Sequence, residues 1–115
     1  MNIYDKINDL ASGIKETKEF KEFVEIKNEV YKDESKKEKI NKFRQMQIDW
    51  QCLATNPEAN QKELEEKNVL LQQMYQMLLQ DEQMKKFFDV EVRFDIIVGD
   101  MYRIIGEALK EAMGD

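Results

Sequence analysis

Asp89–Met113 reads DVEVRFDIIVGDMYRIIGEALKEAM, and the spacing of its apolar residues decides the fold class. Val90, Phe94, Ile97, Met101, Ile104 and Ala108 recur at alternating intervals of four and three, which places them on one face of a helix. A strand would repeat every second residue instead. Ile96, Val98, Ile105 and Leu109 widen the stripe beyond one narrow face. A straight helix of this length would span roughly 35–40 Å. A helix that is apolar on more than one side is either the centre of a bundle or a subunit interface.

The same period governs the chain upstream. Glu58 to Leu79 carries Leu64, Leu71, Met74, Tyr75 and Leu78 on an inward face, with Lys, Glu and Gln residues largely outside. Gln80-Asp81-Glu82 interrupts it, with Asp81 expected to cap a short turn that delivers Phe87 and Phe88. Before it, Thr55-Asn56-Pro57 is the clearest punctuation: proline disfavours the α region in its predecessor and suits the first turn of a helix, so Asn56 is expected as N-cap. Ile40, Phe43, Met46, Trp50 and Leu53 form the preceding apolar face, and Ser35 with Glu38 has the capping-box spacing. Phe20, Phe23, Val24, Val30 and Tyr31 belong to another helix, with Thr17 at its start. The first stripe is Ile3, Ile7, Leu10 and Ile14, spaced 4-3-4. It lasts about two heptads, too short for a sustained coiled coil and suited to packing in a small bundle.

The expected architecture is therefore all-α, an antiparallel helical bundle of long amphipathic helices in one domain over residues 1–115. With one Pro and four Gly, no composition break marks a second core. A chain of this size buries on the order of 60–70% of its unfolded surface. Its helices carry more apolar surface than that comfortably hides, so self-association, as a dimer or higher homo-oligomer, is expected.

Composition excludes most chemistry. No His is present, so Ser-His and Cys-His nucleophiles and Glu-x-x-His metal bundles lack a required member. There is no glycine-rich phosphate loop, no paired cysteine motif and no zinc helix. Acidic neighbours such as Glu65 with Glu66, or Asp95 with Asp100, follow from 24 carboxylates on helical faces. The expectation is a non-enzyme with no catalytic, cofactor-binding or metal-binding residues. Cys52 stands alone, which excludes an intrachain disulfide, fits a reducing compartment and reads as a buried, inert thiol. No apolar run approaches a membrane span, and the first residues lack a signal-peptide core, so the cytoplasm is expected.

The formal charge of −6 opposes nucleic acid. An alternative is an RNA-associated factor using the Lys32–Lys42 segment, where Lys32, Lys36, Lys37, Lys39 and Lys42 are interleaved with Asp33, Glu34 and Glu38. Mixed charges at helical spacing are more simply a solvated face. Seven Met residues raise a further alternative, an adaptable groove for another helix involving Met74, Met77, Met84 and Met101.

Asn2-Ile3-Tyr4-Asp5 at the first helix, Glu19-Phe20-Lys21, Asp33, Phe43 with Gln47, and Phe87-Phe88 before the final helix together resemble the bacterial YlbF/YmcA/YheA family, most of all its YheA branch. The resemblance covers almost the whole chain as an order of helices and anchors. It implies an all-helical, self-associating cytoplasmic protein of Gram-positive-type bacteria with no known enzymatic activity. Other branches act with YaaT in a complex that modulates the endoribonuclease RNase Y, affecting mRNA processing, competence, sporulation and biofilm formation. Iron–sulfur association belongs to those complex-forming branches, and this chain has no cysteine near its C-terminus. What the residues and the resemblance jointly predict is a regulatory or scaffolding protein acting by protein–protein binding, with a bacterial regulatory partner. Its expected packing or interface stripes are Ile3, Ile7, Leu10 and Ile14 together with Phe94, Ile97, Met101 and Ile104.

Overall fold

The computed structural model describes residues 2–114, and these form five helices with no strand among them. They are α1 (Ile3–Glu16), α2 (Lys18–Tyr31), α3 (Glu34–Ala54), α4 (Gln61–Leu78) and α5 (Glu82–Met113). The all-α fold of amphipathic helices follows the sequence periodicity. No helix among the described residues is long and apolar enough to cross a membrane.

Each helix starts where a short polar side chain can satisfy amides that have no partner in the first turn. Asn2 Oδ1 accepts from the Asp5 amide at 2.9 Å. Thr17 serves two helices: its hydroxyl donates to the Ile14 carbonyl at 2.7 Å and accepts from the Phe20 amide at 3.1 Å. Three boundaries differ from the sequence expectation. Asp33, not Ser35, caps α3, because its carboxylate takes the amides of Ser35 and Lys36 at 2.9 and 3.3 Å. Ser35 thus lies inside the first turn as a donor. Asn60, not Asn56, caps α4 by accepting from Lys62 and Glu63. Asn56 instead folds a local turn, accepting the Glu58 amide on its side chain at 3.0 Å, and Pro57 falls in that turn. Asp81 is a cap as expected, but of a 32-residue helix rather than of a short turn. Nothing between Asp81 and Asp89 breaks that helix, since the segment holds neither Gly nor Pro and its apolar residues keep the helical period.

Contacts divide the chain into two units, one comprising the chain up to Lys27 with Phe87 onward, the other Asn28–Lys86, so that the boundaries fall within α2 and α5. In the second unit α3 and α4 pair antiparallel. Near the connecting turn the Trp50 indole donates to the Leu64 carbonyl at 3.1 Å. Further from it the Phe43 and Tyr75 rings stack at 5.7 Å. Furthest away, Lys36 Nζ lies 3.1 Å from Asp81 Oδ2 and donates to Gln83 Oε1 at 2.7 Å. As one partner number falls the other rises, which is the register of an antiparallel hairpin. Val30, Ile40, Phe43, Leu71, Leu78 and Met84 are buried in this unit. Each fully buried side chain of this kind stabilises by about 1.5–3 kcal/mol.

The first unit is built on aromatic rings. Phe20 and Phe23 of α2 meet Phe94 of α5 at 5.7 and 5.9 Å, and Phe23 also meets Phe87 at 5.5 Å. Phe87 is fully buried, and Ile26, Phe88 and Val90 are nearly so. Arg93 Nη1 reaches Glu22 at 3.7 Å at the margin of this cluster.

Candidate docking faces

The first expected stripe lies on α1, a helix that contributes no buried residue. Asn2 starts it and Thr17 ends it, so it is well capped, yet Ile3 is 62% exposed and Ile7 and Leu10 are exposed as well. Only Ile14, next to the turn into α2, is half-buried. The second stripe divides along α5. Phe94 is held by the two α2 rings, and Ile97 and Met101 are half-buried. Ile104 is 58% exposed. Every described residue from Tyr102 onward is exposed, Ile105, Leu109 and Met113 among them. That half of α5 is therefore not the centre of a bundle within this chain.

Charge is sorted along the same helix. Arg103 reaches Asp100 at 3.8 Å and Glu107 at 3.6 Å, a row of i, i+3 and i, i+4 neighbours. Helix geometry sets this row roughly a third of a turn away from the centre of the face formed by Ile97, Met101, Ile104, Ile105 and Ala108. The pairs are exposed and contribute little to stability. Their effect is to leave the other side of the helix uncharged. Uncharged, solvent-facing apolar rows on two helices are what a protein-binding surface requires, because excluding water from them supplies the driving force.

The lysine segment is less free than the sequence suggests. Lys36 is three-quarters buried against Asp81 and Gln83. Asp81 is held below the ordinary carboxylate range, first by the Met84 amide and then by Lys36. Cys52, expected to be buried, is exposed, since it falls on the outer side of α3 away from Phe43 and Trp50. No group of three or more His, Cys, Asp or Glu among the described residues is placed to hold a metal. Two features escaped the sequence reading. Ile26, three residues after Phe23 and four before Val30, is buried, and its spacing carried the signal. The Lys36–Asp81 pair joins residues 45 apart in sequence and has no local signature.

The family model described as "Control of competence regulator ComK, YlbF/YmcA" matches residues 3–110. A UPF0342 protein of Halalkalibacterium halodurans is 31% identical over 120 residues, covering 99% of this chain and 96% of its own. One from Clostridium novyi is 30% identical over 115 residues, covering 100% and 98%. One from Caldicellulosiruptor saccharolyticus is 32% identical over 120 residues, covering 97% and 92%. No solved structure matches.

Proposed function

The chain belongs to the YlbF/YmcA family, and from that premise we propose that it is a non-enzymatic regulatory protein that works by binding other proteins through its terminal helices. The observation that carries this reading is the exposed apolar surface of α1 and of α5 beyond Met101, on helices that are otherwise well capped and regular. The first partner is a second copy of the chain. Ile3, Ile7, Leu10 and Ile14 together with Phe94, Ile97, Met101 and Ile104 form the interface, with Ile105 and Leu109 at its edge. Burying such rows at about 25 cal/mol per Å2 favours association without a pocket or a reacting group.

The family's description supports a place in the control of competence. The finer role is that of an accessory factor related to RNase Y-modulating complexes, acting on mRNA through protein contacts. The engagement of Lys36 with Asp81 and Gln83 favours this over direct RNA binding by the Lys32–Lys42 segment. Sedimentation of the wild type and of Ile104→Asp with Leu109→Asp tests the interface: both positions are exposed in the single chain, so the substitutions spare its fold. The expected result is an associated wild type and a monomeric, still helical variant; a monomeric wild type at high micromolar concentration contradicts the reading. Reconstitution with RNase Y of the same organism tests the finer role, which an unchanged cleavage pattern would remove.

A further inference from the structure

A second surface lies on the α3/α4 hairpin, within the unit Asn28–Lys86. Two cavities open along one side of this antiparallel pair. One, of about 220 Å3, is lined by residues that include Lys39 of α3 and Met74, Met77 and Leu78 of α4. The other, of about 190 Å3, is lined by Met46 and Asp49 of α3 and by Lys67, Leu70 and Leu71 of α4. Their lining residues recur at helical intervals, Lys39, Met46 and Asp49 on one wall and Lys67, Leu70, Met74 and Met77 on the other. Residues at such intervals share one edge of a helix, so the two cavities are the ends of a single groove between α3 and α4. From Lys39 to Asp49 it is roughly 15 Å long.

Three properties of this groove specify its occupant. Its middle is apolar and open: Leu70 is 55% and Met77 71% exposed, on a helix whose adjoining face already packs on α3 through Leu71 and Leu78. While Lys42 follows Lys39 on the α3 edge, the α4 wall is free of charge, because Asn68 to Gln80 contains no Asp, Glu, Lys or Arg in a chain where these make up 37% of residues. A charged segment laid there would lose hydration without gaining a partner. The charges at the ends are partly engaged, Lys67 with Glu63 at 3.6 Å, Asp49 with Gln45 at 2.9 Å, Asp81 with Lys36 at 3.1 Å and Asp33 with the first amides of α3, while Lys39 borders the Met77 end. Finally, a footprint on the order of 15 by 10 Å is far below the roughly 800 Å2 per partner of a standard stable interface. A second copy held by this face alone would not stay bound.

The geometry points to a docking groove for a single amphipathic helix of another protein, with large uncharged side chains at i, i+3 or i+4, and i+7, and an acidic residue toward Lys39. Met46, Met74 and Met77 supply walls that repack around different anchors, as methionine does where one surface must accept several sequences. Binding is weak and exchangeable, which suits regulation of a partner rather than assembly with it. The groove is separate from the terminal-helix interface and stands or falls without it.

The seven methionine methyl groups provide the readout. The full chain, labelled with 13C at methionine methyls, is titrated with a synthetic helical peptide of about 15 residues, four turns, carrying Leu at those spacings, Gln elsewhere and one Glu at the end. A scrambled peptide of equal composition is the control. Saturable shifts of Met46, Met74 and Met77, absent with the scrambled peptide, are expected. Leu70→Glu should weaken binding about tenfold, a loss of about 1.4 kcal/mol, with helical content and sedimentation unchanged. Met77→Gln, at a more exposed site, provides the same test if Leu70→Glu unfolds the hairpin. The proposal is overturned by no saturable shift, by equal shifts with the scrambled peptide, or by shifts confined to Met101 and Met113, which would place the peptide on the terminal helices.

Discussion

Asp81 caps α5 with one carboxylate oxygen and pairs with Lys36 of α3 through the other, and replacing it separates two contributions. Oδ1 accepts from the amides of Gln83 and Met84 at 2.9 and 3.1 Å, and Oδ2 lies 3.1 Å from Lys36. Asn can keep the first contact and loses the charge, whereas Ala loses both. Loss of an N-cap costs about 1 kcal/mol. The ion pair is partly exposed on both sides, so screening limits it to about 0.5 kcal/mol. Asp81→Asn should therefore cost about 0.5 kcal/mol and Asp81→Ala about 1.5 kcal/mol. For a chain of this size these correspond to melting-temperature losses of roughly 2–4 and 6–10 °C. The pH dependence has a fixed sign. Because the folded carboxyl titrates below its ordinary 3.8, its stabilising contribution is complete above that value and disappears as pH falls through the folded one. Urea or thermal unfolding followed by circular dichroism should show a constant gap between wild type and Asp81→Asn from pH 7 to about 5, closing below roughly pH 4. Equal costs for Asn and Ala, or a gap unchanged down to pH 2, would refute this account of the α4–α5 junction.

Other perturbations probe separate parts of the molecule. Phe87→Ala removes a fully buried ring that packs on Phe23 and Phe88, and should cost about 3–5 kcal/mol in urea unfolding. Trp50→Phe keeps most of the apolar body and loses the bond to the Leu64 carbonyl, so about 1 kcal/mol should be lost. Gly106→Ala places a methyl group where nothing lies within 4 Å, so a monomeric variant should gain about 0.5–1 kcal/mol in thermal unfolding from helix propensity alone.

The helical period made the apolar faces legible, and the structure keeps them: Ile40, Phe43, Leu71 and Leu78 are buried as their spacing requires. Helix ends were less legible because several polar residues compete within a few positions. Ser35 and Asp33 could each cap α3, and Asn56 and Asn60 could each cap α4; only the path of the chain decides which oxygen reaches the free amides. The Lys36–Asp81 contact depends on the antiparallel register, which no local pattern encodes. The terminal stripes were visible as apolar rows, but periodicity alone does not distinguish a face buried within the chain from one left open. Phe94 is half-covered within the chain and Ile104 left open, because the α2 rings reach only the former.

Hydrogen–deuterium exchange measured across a concentration series tests most directly whether another protein surface covers the terminal helices. If two copies meet through α1 and the second half of α5, amides in Ile3–Glu16 and Tyr102–Met113 gain protection as concentration rises, while those of α3 and α4 stay constant. Protection in those segments that is low and independent of concentration, in a sample whose mass is that of one chain, would contradict it.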